Sequence, residues 1–172
     1  MQRRLIVMRH AKSAWPEDVP DFERPLSGRG DRDAAAAGQW MQHQGLRPEV
    51  ALVSSARRTR ATADAVAAAV DASHSSMDIR VSDGLYGAGA GDLLDAVRDV
   101  EDAHSTVLLI AHNPGIGMLV ALLDDGGAEV EVGGPGGVGY PTSATTVFDV
   151  STPWGQLDPG AARVQAFTVP RG

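Results

Sequence analysis

The chain has 172 residues, of which 22% are charged and 43% apolar, a balance typical of one soluble globular domain with a buried core. It contains no cysteine, which excludes disulfides, thiolate metal sites and a cysteine nucleophile. The net charge of −7 argues against general nucleic-acid binding, and no early apolar run suits a signal peptide or a membrane span. We therefore expect a single cytoplasmic domain over residues 1–172.

The predicted elements of the first half alternate between strand and helix. An apolar run without alternation, Leu5–Met8, predicts a strand buried on both faces. Ser27 is expected to cap a helix that continues to about Gln44, and a second buried strand is predicted at Val50–Ser54. Apolar residues at helical spacing over 63–70 then predict a second helix.

The middle of the second half repeats this order. A helical stripe at residues 93–97 precedes a third buried strand, Thr106–Ala111, and another helical stripe follows at residues 116–123. Alternation of this kind predicts an α/β fold. We expect a three-layer sandwich in which a mostly parallel central sheet has helices on both faces.

The end of the chain departs from the alternation. The Gly- and Pro-rich stretch 126–141 predicts a long mobile loop. After it, Thr145–Val150 and Arg163–Val169 predict two strands joined by a turn. We expect these strands to form an antiparallel edge of the sheet.

Each of the three buried strands ends in residues suited to binding an anion. Arg9 and His10 follow the first strand, Arg58 follows the second, and His112 leaves the third. Ligands of open α/β sheets bind beyond the carboxyl ends of the strands. Because the forked donors of arginine match phosphate oxygens, this end of the sheet is predicted to bind a phosphoryl group.

Two helix N-termini are predicted at the same end of the sheet. Ser54 or Ser55 is expected to cap the helix after the second strand, and Asn113 the helix after the third. Helix N-termini present free N–H groups and the positive end of the helix dipole. They therefore favour the same anionic ligand as the arginines.

At these positions the chain resembles the histidine phosphatase superfamily, formerly grouped with the phosphoglycerate mutases. That family carries Arg-His-Gly, Ser-x-x-x-Arg-x-x-x-Thr and a later His. The corresponding residues are Arg9-His10-Ala11, Ser54, Arg58, Thr62 and His112. The stretches "RHAKS", "DFERPLSGRG", "GLYGA" and "AHNPG" further resemble the short, SixA-like phosphohistidine phosphatase branch. The resemblance implies a phosphoglycerate mutase-like fold.

The resemblance also implies roles for individual residues. His10 would be the nucleophile that becomes transiently phosphorylated, while Arg9, Arg58 and His112 would bind the phosphoryl oxygens. Arg24, in "ERPLS", matches an additional phosphate-contacting arginine of the short branch. No metal and no cofactor are expected, since arginines and helix N-termini would supply the positive field.

Asp83 is a candidate general acid. Larger relatives protonate the leaving group from a carboxylic acid two or three residues before an aromatic-glycine pair, and Asp83 precedes Tyr86-Gly87 by three residues. An aspartate that only shapes a turn is an equally good interpretation of this position.

The resemblance implies a phosphatase that acts on phosphohistidine in a protein, because no long insertion is present to cover the pocket. A phosphatase for a small phosphate monoester, such as a sugar phosphate or nucleotide, is one alternative. A non-catalytic phosphate-binding module is an alternative from another class. Neither nucleic acid nor a membrane is expected as a partner, and the sequence leaves the oligomeric state open.

Overall fold

Strands and helices alternate through most of the chain. A computed structural model describes residues 2–70, 77–127 and 139–172. The strands of the described residues are β1 (Arg3–Arg9), β2 (Val50–Ser54), β3 (Asp78–Ser82), β4 (Thr106–Ala111), β5 (Thr145–Val150) and β6 (Ala162–Thr168). Their α-helices are α1 (Gly28–His43), α2 (Arg57–Val70), α3 (Ala90–Arg98) and α4 (Gly115–Leu123).

The strands form one sheet in the order β3-β2-β4-β1-β5-β6. Parallel pairing joins β1 to β4, β4 to β2, and β2 to β3. In contrast, β5 lies antiparallel to β1, and β6 lies antiparallel to β5 at the edge. The predicted α/β fold, with a mostly parallel sheet and an antiparallel edge near the C-terminus, is confirmed.

Side chains of the central strand β1 point alternately to two helical layers. Leu5 and Val7 pack in one core with α3 and α4, whereas Ile6 and Met8 pack in a second core with α1 and α2. All four side chains are fully buried, and each stabilises the fold by about 1.5–3 kcal/mol. Burial on both faces explains why the strand shows no polar alternation.

The helix α1 begins where the sequence predicts. The first helix, α1, is capped by Ser27, whose Oγ accepts a hydrogen bond from the Gly30 amide at 3.0 Å. Within the described ranges, no helix is long and apolar enough to cross a membrane.

The strand β3 is not among the strands predicted from the sequence. Its residues alternate in character and none of them is buried, as is usual for a short strand at a sheet edge. Its register nevertheless pairs Ser82 with Ser54, the last residue of β2. The turn after β3 is therefore carried to the sheet end where the other strands deliver their polar residues.

Two glycines allow close packing at this end of the sheet. A Cβ at Gly30 would collide with the Lys12 carbonyl oxygen, and one at Gly115 would collide with that of Ala88. Glycine is therefore required at both positions. It sets α1 against the loop after β1, and α4 against the loop that carries Tyr86.

Most of the predicted loop 126–141 falls on residues 128–138, which lie outside the described residues. The chain is described again from Gly139. Tyr140 is fully buried, and its Oη donates a hydrogen bond to the Val7 carbonyl oxygen at 2.9 Å. This contact returns the chain to β1, next to Arg9.

Candidate active site

His10, Arg58 and His112 meet at the carboxyl end of the sheet. The ring centroids of the two histidines are 5.2 Å apart. Arg58 Nε lies 3.3 Å from His10 Nε2, and Arg58 Nη2 lies 3.3 Å from His112 Nδ1. All three residues are buried. The fold thus brings together three of the residues predicted for the phosphoryl site.

The hydrogen bonds of His10 leave one ring nitrogen with an available lone pair. His10 Nδ1 lies 2.7 Å from the Ala11 carbonyl oxygen, which can only accept, so Nδ1 carries the proton. His10 Nε2 is therefore unprotonated and accepts from Arg58 Nε. Burial lowers the pKa of His10 to about 3, which keeps the ring neutral at neutral pH. A neutral ring with a lone pair is the state that a nucleophile requires.

Ser54 orients the ring of His112. Because a guanidinium group can only donate, His112 Nδ1 accepts from Arg58 Nη2, and His112 Nε2 carries the proton. Ser54 Oγ lies 2.7 Å from that nitrogen and is fully buried. Burial, followed by the charge of Arg58, lowers the pKa of His112 to about 4. Both site histidines are therefore neutral at neutral pH.

The prediction that Ser54 or Ser55 caps α2 is wrong. Ser54 Oγ is engaged with His112, and Ser55 Oγ has no hydrogen-bond partner within the described residues. In the first turn of α2, Thr59 Oγ1 donates to the Ser54 carbonyl oxygen at 2.7 Å. The hydroxyl of Ser54 therefore serves the site rather than the helix.

We expect Ser54→Ala to lower kcat/KM for phosphate release by about tenfold, because the buried Nε2–H of His112 would lose its partner and the ring its fixed orientation. Steady-state kinetics on a phosphorylated substrate measure the change. Ser55→Ala is the matched control, since it removes a neighbouring buried hydroxyl that has no described partner. Equal kinetics in Ser54→Ala and wild type would contradict this role.

Arg9 is held at the end of β1 by the chain that returns from the loop. Its Nη1 donates to the Tyr140 carbonyl oxygen at 3.0 Å, and Asn113 Nδ2 donates to the same oxygen at 2.7 Å. The prediction that Asn113 caps α4 is wrong, since Pro114 is the N-cap and no side chain caps the helix; Asn113 Oδ1 instead accepts from the Gly117 amide at 3.2 Å. Burial, followed by the charge of Arg58, lowers the pKa of Arg9. The two guanidinium groups therefore repel each other, and a bound anion would relieve that repulsion.

Asp21 is a site residue that sequence reasoning misses. Its Oδ2 accepts from Arg58 Nη2 at 3.1 Å and from Tyr86 Oη at 2.7 Å, while Oδ1 accepts from Arg24 Nη1 at 2.9 Å. The hydrogen bond from Tyr86, together with those from Arg24 and Arg58, holds the pKa of Asp21 below its usual range. The carboxylate is therefore ionised. The one signal in the sequence is its place in "DFERPLSGRG".

Arg24, predicted to contact phosphate, is buried and donates to protein groups. Its Nε donates to the Ala14 carbonyl oxygen at 3.0 Å, its Nη1 to Asp21, and its Nη2 to Ser13 Oγ. Its guanidinium carbon lies 3.1 Å from the centre of the Trp15 ring, a cation–π contact. In this structure Arg24 is connected to Arg58 only indirectly, because both donate to the carboxylate of Asp21.

Asp83, the candidate acid, is exposed in a 3₁₀ turn after β3. Within the described part of the chain its carboxylate makes no hydrogen bond, while its carbonyl oxygen accepts from the Tyr86 amide at 3.0 Å. Tyr86 itself reaches the site, since its ring meets that of His112 edge-on at 5.5 Å. The turn therefore contributes Tyr86 to the site and leaves the Asp83 side chain in solvent.

The charges around the three site residues suit a phosphoryl dianion. Among the described residues at this site, the guanidinium groups of Arg9, Arg24 and Arg58 face one carboxylate, that of Asp21, which leaves two positive charges. In the same ranges, no group of three or more His, Asp or Glu side chains is placed to hold a metal ion. The arrangement can hold a tetrahedral oxyanion against a neutral nucleophilic nitrogen.

The low pKa values of the site histidines predict loss of stability in mild acid. An unfolded histidine, with a pKa of about 6.5, binds a proton that buried His10, with a pKa of about 3, does not. The unfolded state then binds more protons, so the free energy of unfolding falls as pH drops below 6.5. Between pH 7 and pH 5, His10 alone is expected to lower the free energy of unfolding by about 2 kcal/mol.

Urea unfolding at both pH values tests this prediction. His10→Gln cannot titrate in this range, so it should lose about 2 kcal/mol less than wild type when the pH falls from 7 to 5. Equal losses in the two proteins would show that His10 is not held neutral by burial.

The chain is similar to known sequences. Residues 5–93 match the profile of the histidine phosphatase superfamily (branch 1). An uncharacterized protein of Mycobacterium tuberculosis is 34% identical over 167 residues, which cover 95% of this chain and 100% of that protein. An uncharacterized protein of Mycobacterium leprae is 31% identical over 170 residues, with coverage of 95% and 100%.

Solved structures show the same fold. A protein of Nakamurella multipartitia, provisionally described as the phosphohistidine phosphatase SixA, superposes with a TM-score of 0.78 at 30% identity, covering 99% of this chain and 97% of that one. The protein histidine phosphatase SixA complexed with tungstate superposes with a TM-score of 0.76 at 23% identity, covering 97% of both chains. The predicted phosphoglycerate mutase-like fold and the SixA-like resemblance are confirmed.

Proposed function

The chain belongs to the histidine phosphatase superfamily, and from that premise we propose that it is a metal-independent phosphatase of protein phosphohistidine. The observation that carries the proposal is the buried, neutral ring of His10, whose Nε2 lone pair faces the Arg58 guanidinium beside His112. The proposed partner is a cytoplasmic protein that carries phosphohistidine.

In the proposed reaction, His10 Nε2 attacks the phosphorus atom in line with the P–N bond of the substrate. A bond forms between Nε2 and phosphorus while the substrate P–N bond breaks, and the leaving imidazole takes a proton from solvent. Water then attacks the phosphorus, the Nε2–P bond breaks and inorganic phosphate leaves. Each cycle consumes one water molecule and returns His10 to its neutral form.

The groups around His10 would stabilise the transition state. Arg58 directs its Nε and Nη2 toward the two histidine rings, so both donors would meet a phosphoryl group that enters between the rings. Arg9 supplies further donors. His112 would donate from Nδ1 in its other neutral tautomer, in which Nε2 has lost its proton to solvent, Nδ1 has gained one, and Ser54 Oγ donates to Nε2.

The state of the site carboxylates favours a P–N substrate. An alkoxide leaving group needs a general acid, whereas imidazole is a better leaving group. Asp21 is held ionised and cannot supply a proton in that state. Asp83 is exposed and contacts none of the buried site residues through a described hydrogen bond. Phosphohistidine therefore suits the site better than an alkyl phosphate.

A small phosphate monoester is the second candidate substrate, because Asp83 stands in the same turn as Tyr86, which does reach the site. In that reading Asp83 protonates the leaving alkoxide. Asp83→Asn would then lose monoester hydrolysis while keeping phosphohistidine hydrolysis. Unchanged rates on both substrates would remove Asp83 from the mechanism.

The substrate class is tested by measuring kcat/KM for phosphate release from a chemically phosphorylated histidine protein and from a sugar phosphate, with EDTA present throughout. We expect the phosphohistidine protein to be the better substrate and His10→Ala to be inactive on both. A higher kcat/KM for the sugar phosphate would assign the enzyme to monoesters. Binding of phosphate without any turnover would leave a phosphate-binding module, and dependence on added metal would contradict the metal-independent mechanism.

A further inference from the structure

We propose that Asp21 is a positioning residue of the phosphoryl site, which holds the Arg58 guanidinium by its outer end and links Arg24 to it. The inference rests on the proposed function, because the role of Arg58 toward a phosphoryl group defines what must be positioned. Asp21 begins the stretch "DFERPLSGRG", in which the resemblance implies a role only for Arg24.

The contacts of Arg58 divide its guanidinium into two edges. At the outer end, Nη1 donates to the Asp21 carbonyl oxygen at 2.7 Å and Nη2 donates to Asp21 Oδ2 at 3.1 Å. At the side edge, Nε and Nη2 face the ring nitrogens of His10 and His112. Asp21 thus binds the donors that point away from the histidines. The side edge, which can bind two phosphoryl oxygens, is left directed at the nucleophile.

Arg24 binds the other oxygen of the Asp21 carboxylate. Each of its three nitrogen atoms makes one hydrogen bond, to Ala14, Asp21 and Ser13, and its face is stacked on Trp15. Arg24 is therefore fixed independently of any ligand. It holds Asp21 Oδ1 while Oδ2 holds Arg58, so the carboxylate forms a rigid bridge between the two guanidinium groups.

The charge of Asp21 is matched to this bridge. Its carboxylate is half exposed, whereas the side chains of Arg24 and Arg58 are 8% and 7% exposed. A buried guanidinium without an acceptor is costly, and a carboxylate between two of them offsets their mutual repulsion. Tyr86 Oη adds a third donor at 2.7 Å, which limits the rotation of the carboxylate.

The test compares Asp21→Asn with wild type and with Asp18→Asn. The amide keeps the size of the side chain but turns an N–H donor toward one of the two guanidinium groups. Asp18 lies on the same loop, is exposed, and has a positive φ of 59° that asparagine also adopts. Asp18→Asn thus removes the same charge without touching the bridge.

Tungstate binding by titration calorimetry and steady-state kinetics on a phosphohistidine protein are the two readouts. For Asp21→Asn we expect a tungstate dissociation constant raised by about tenfold and a kcat lowered by about 100-fold, with a smaller change in KM. Asp18→Asn should match wild type in both. Tighter tungstate binding by Asp21→Asn would overturn the proposal, since it would show that the carboxylate competes with the ligand. Values equal to wild type would also overturn it.

A double-mutant cycle tests whether Arg24 acts through Asp21. If it does, Asp21→Asn combined with Arg24→Gln loses no more tungstate affinity than the weaker-binding single variant. Losses of tungstate affinity that multiply in the double variant would show that Arg24 acts by a separate route.

Should Asp21→Asn fail to fold, Tyr86→Phe serves as the second variant. It removes only one contact to the carboxylate and should raise the tungstate dissociation constant by about threefold. An unchanged dissociation constant would then overturn the proposed bridge.

These readouts separate the inference from the proposed function. A wild-type protein that binds tungstate but releases no phosphate from any donor would refute the phosphatase proposal, while the tungstate comparison would still decide the role of Asp21. A wild-type protein that binds no tungstate would overturn the positioning role, because there would be no oxyanion site to position.

Discussion

Replacing His10 with alanine is expected to abolish phosphate release, with a fall in kcat of about 10⁴-fold or more. His10 Nε2 lies 3.3 Å from Arg58 Nε, and the hydrogen bond of Nδ1 to the Ala11 carbonyl oxygen fixes its lone pair on that side. The proposed mechanism assigns the attack on phosphorus to His10 alone, although His112 Nδ1 also accepts from Arg58. Steady-state phosphate release from a phosphohistidine protein measures the loss.

The fold of His10→Ala should survive, and His43→Ala provides the matched control. His43 is the last residue of α1 and is exposed, so its replacement removes an imidazole that lies outside the site. His43→Ala should retain wild-type kinetics. A His10→Ala protein with even one tenth of the wild-type kcat would show that another group makes the attack.

The second large effect is expected for Arg58→Lys, with a fall in kcat/KM of about 10²–10³-fold. Lysine keeps the positive charge but cannot donate from the two positions that Arg58 Nε and Nη2 occupy beside the histidines. It would also release the Asp21 carbonyl oxygen and carboxylate that Arg58 engages. Charge is therefore retained, and the geometry of the donors is lost.

The neighbouring Arg57→Lys is the control for this change. Arg57 is exposed in the first turn of α2, one residue before Arg58. Kinetics on the same phosphohistidine protein should show wild-type values for Arg57→Lys. If Arg58→Lys also retained wild-type values, charge alone would explain the site and the two-donor edge of Arg58 would have no role.

Much of the fold follows from the sequence because the central strands are buried on both faces. Val50–Ser54 and Thr106–Ala111 carry almost continuous apolar runs, and the structure places strands over these same residues. The edge strand β3 escapes prediction for the opposite reason. It is short, lies at the sheet edge and is held by pairing with β2, and only Ile79 of its apolar residues packs against a core, so it has no continuous apolar run.

The site, too, has residues that the sequence predicts and residues that it does not. His10, Arg58 and His112 follow buried strands, so the topology alone predicts that they converge. Asp21 and Tyr86 lie on loops, and their contact spans 65 positions of sequence. No local sequence pattern predicts that the carboxylate of Asp21, on a loop, will contact the guanidinium of Arg58. Such contacts depend on how the loops pack at the sheet end.

The hydroxyl of Ser54 shows a different limit. A serine just before a helix is a good N-cap by its chemistry, and the sequence supports that interpretation. The structure instead gives its Oγ to His112, because the parallel pairing of β2 with β4 sets the two strand ends side by side. Tertiary pairing outweighed the local preference of the residue.

The most direct test of the central claim is rapid-quench labelling of the protein with a ³²P-phosphohistidine donor protein, followed by mapping of the label. We predict an acid-labile, base-stable label that forms and decays within a single turnover and maps to His10. The same experiment on His10→Ala should give no label. Turnover of the donor without any protein-bound phosphate, or a label on another residue, would contradict the covalent His10 mechanism.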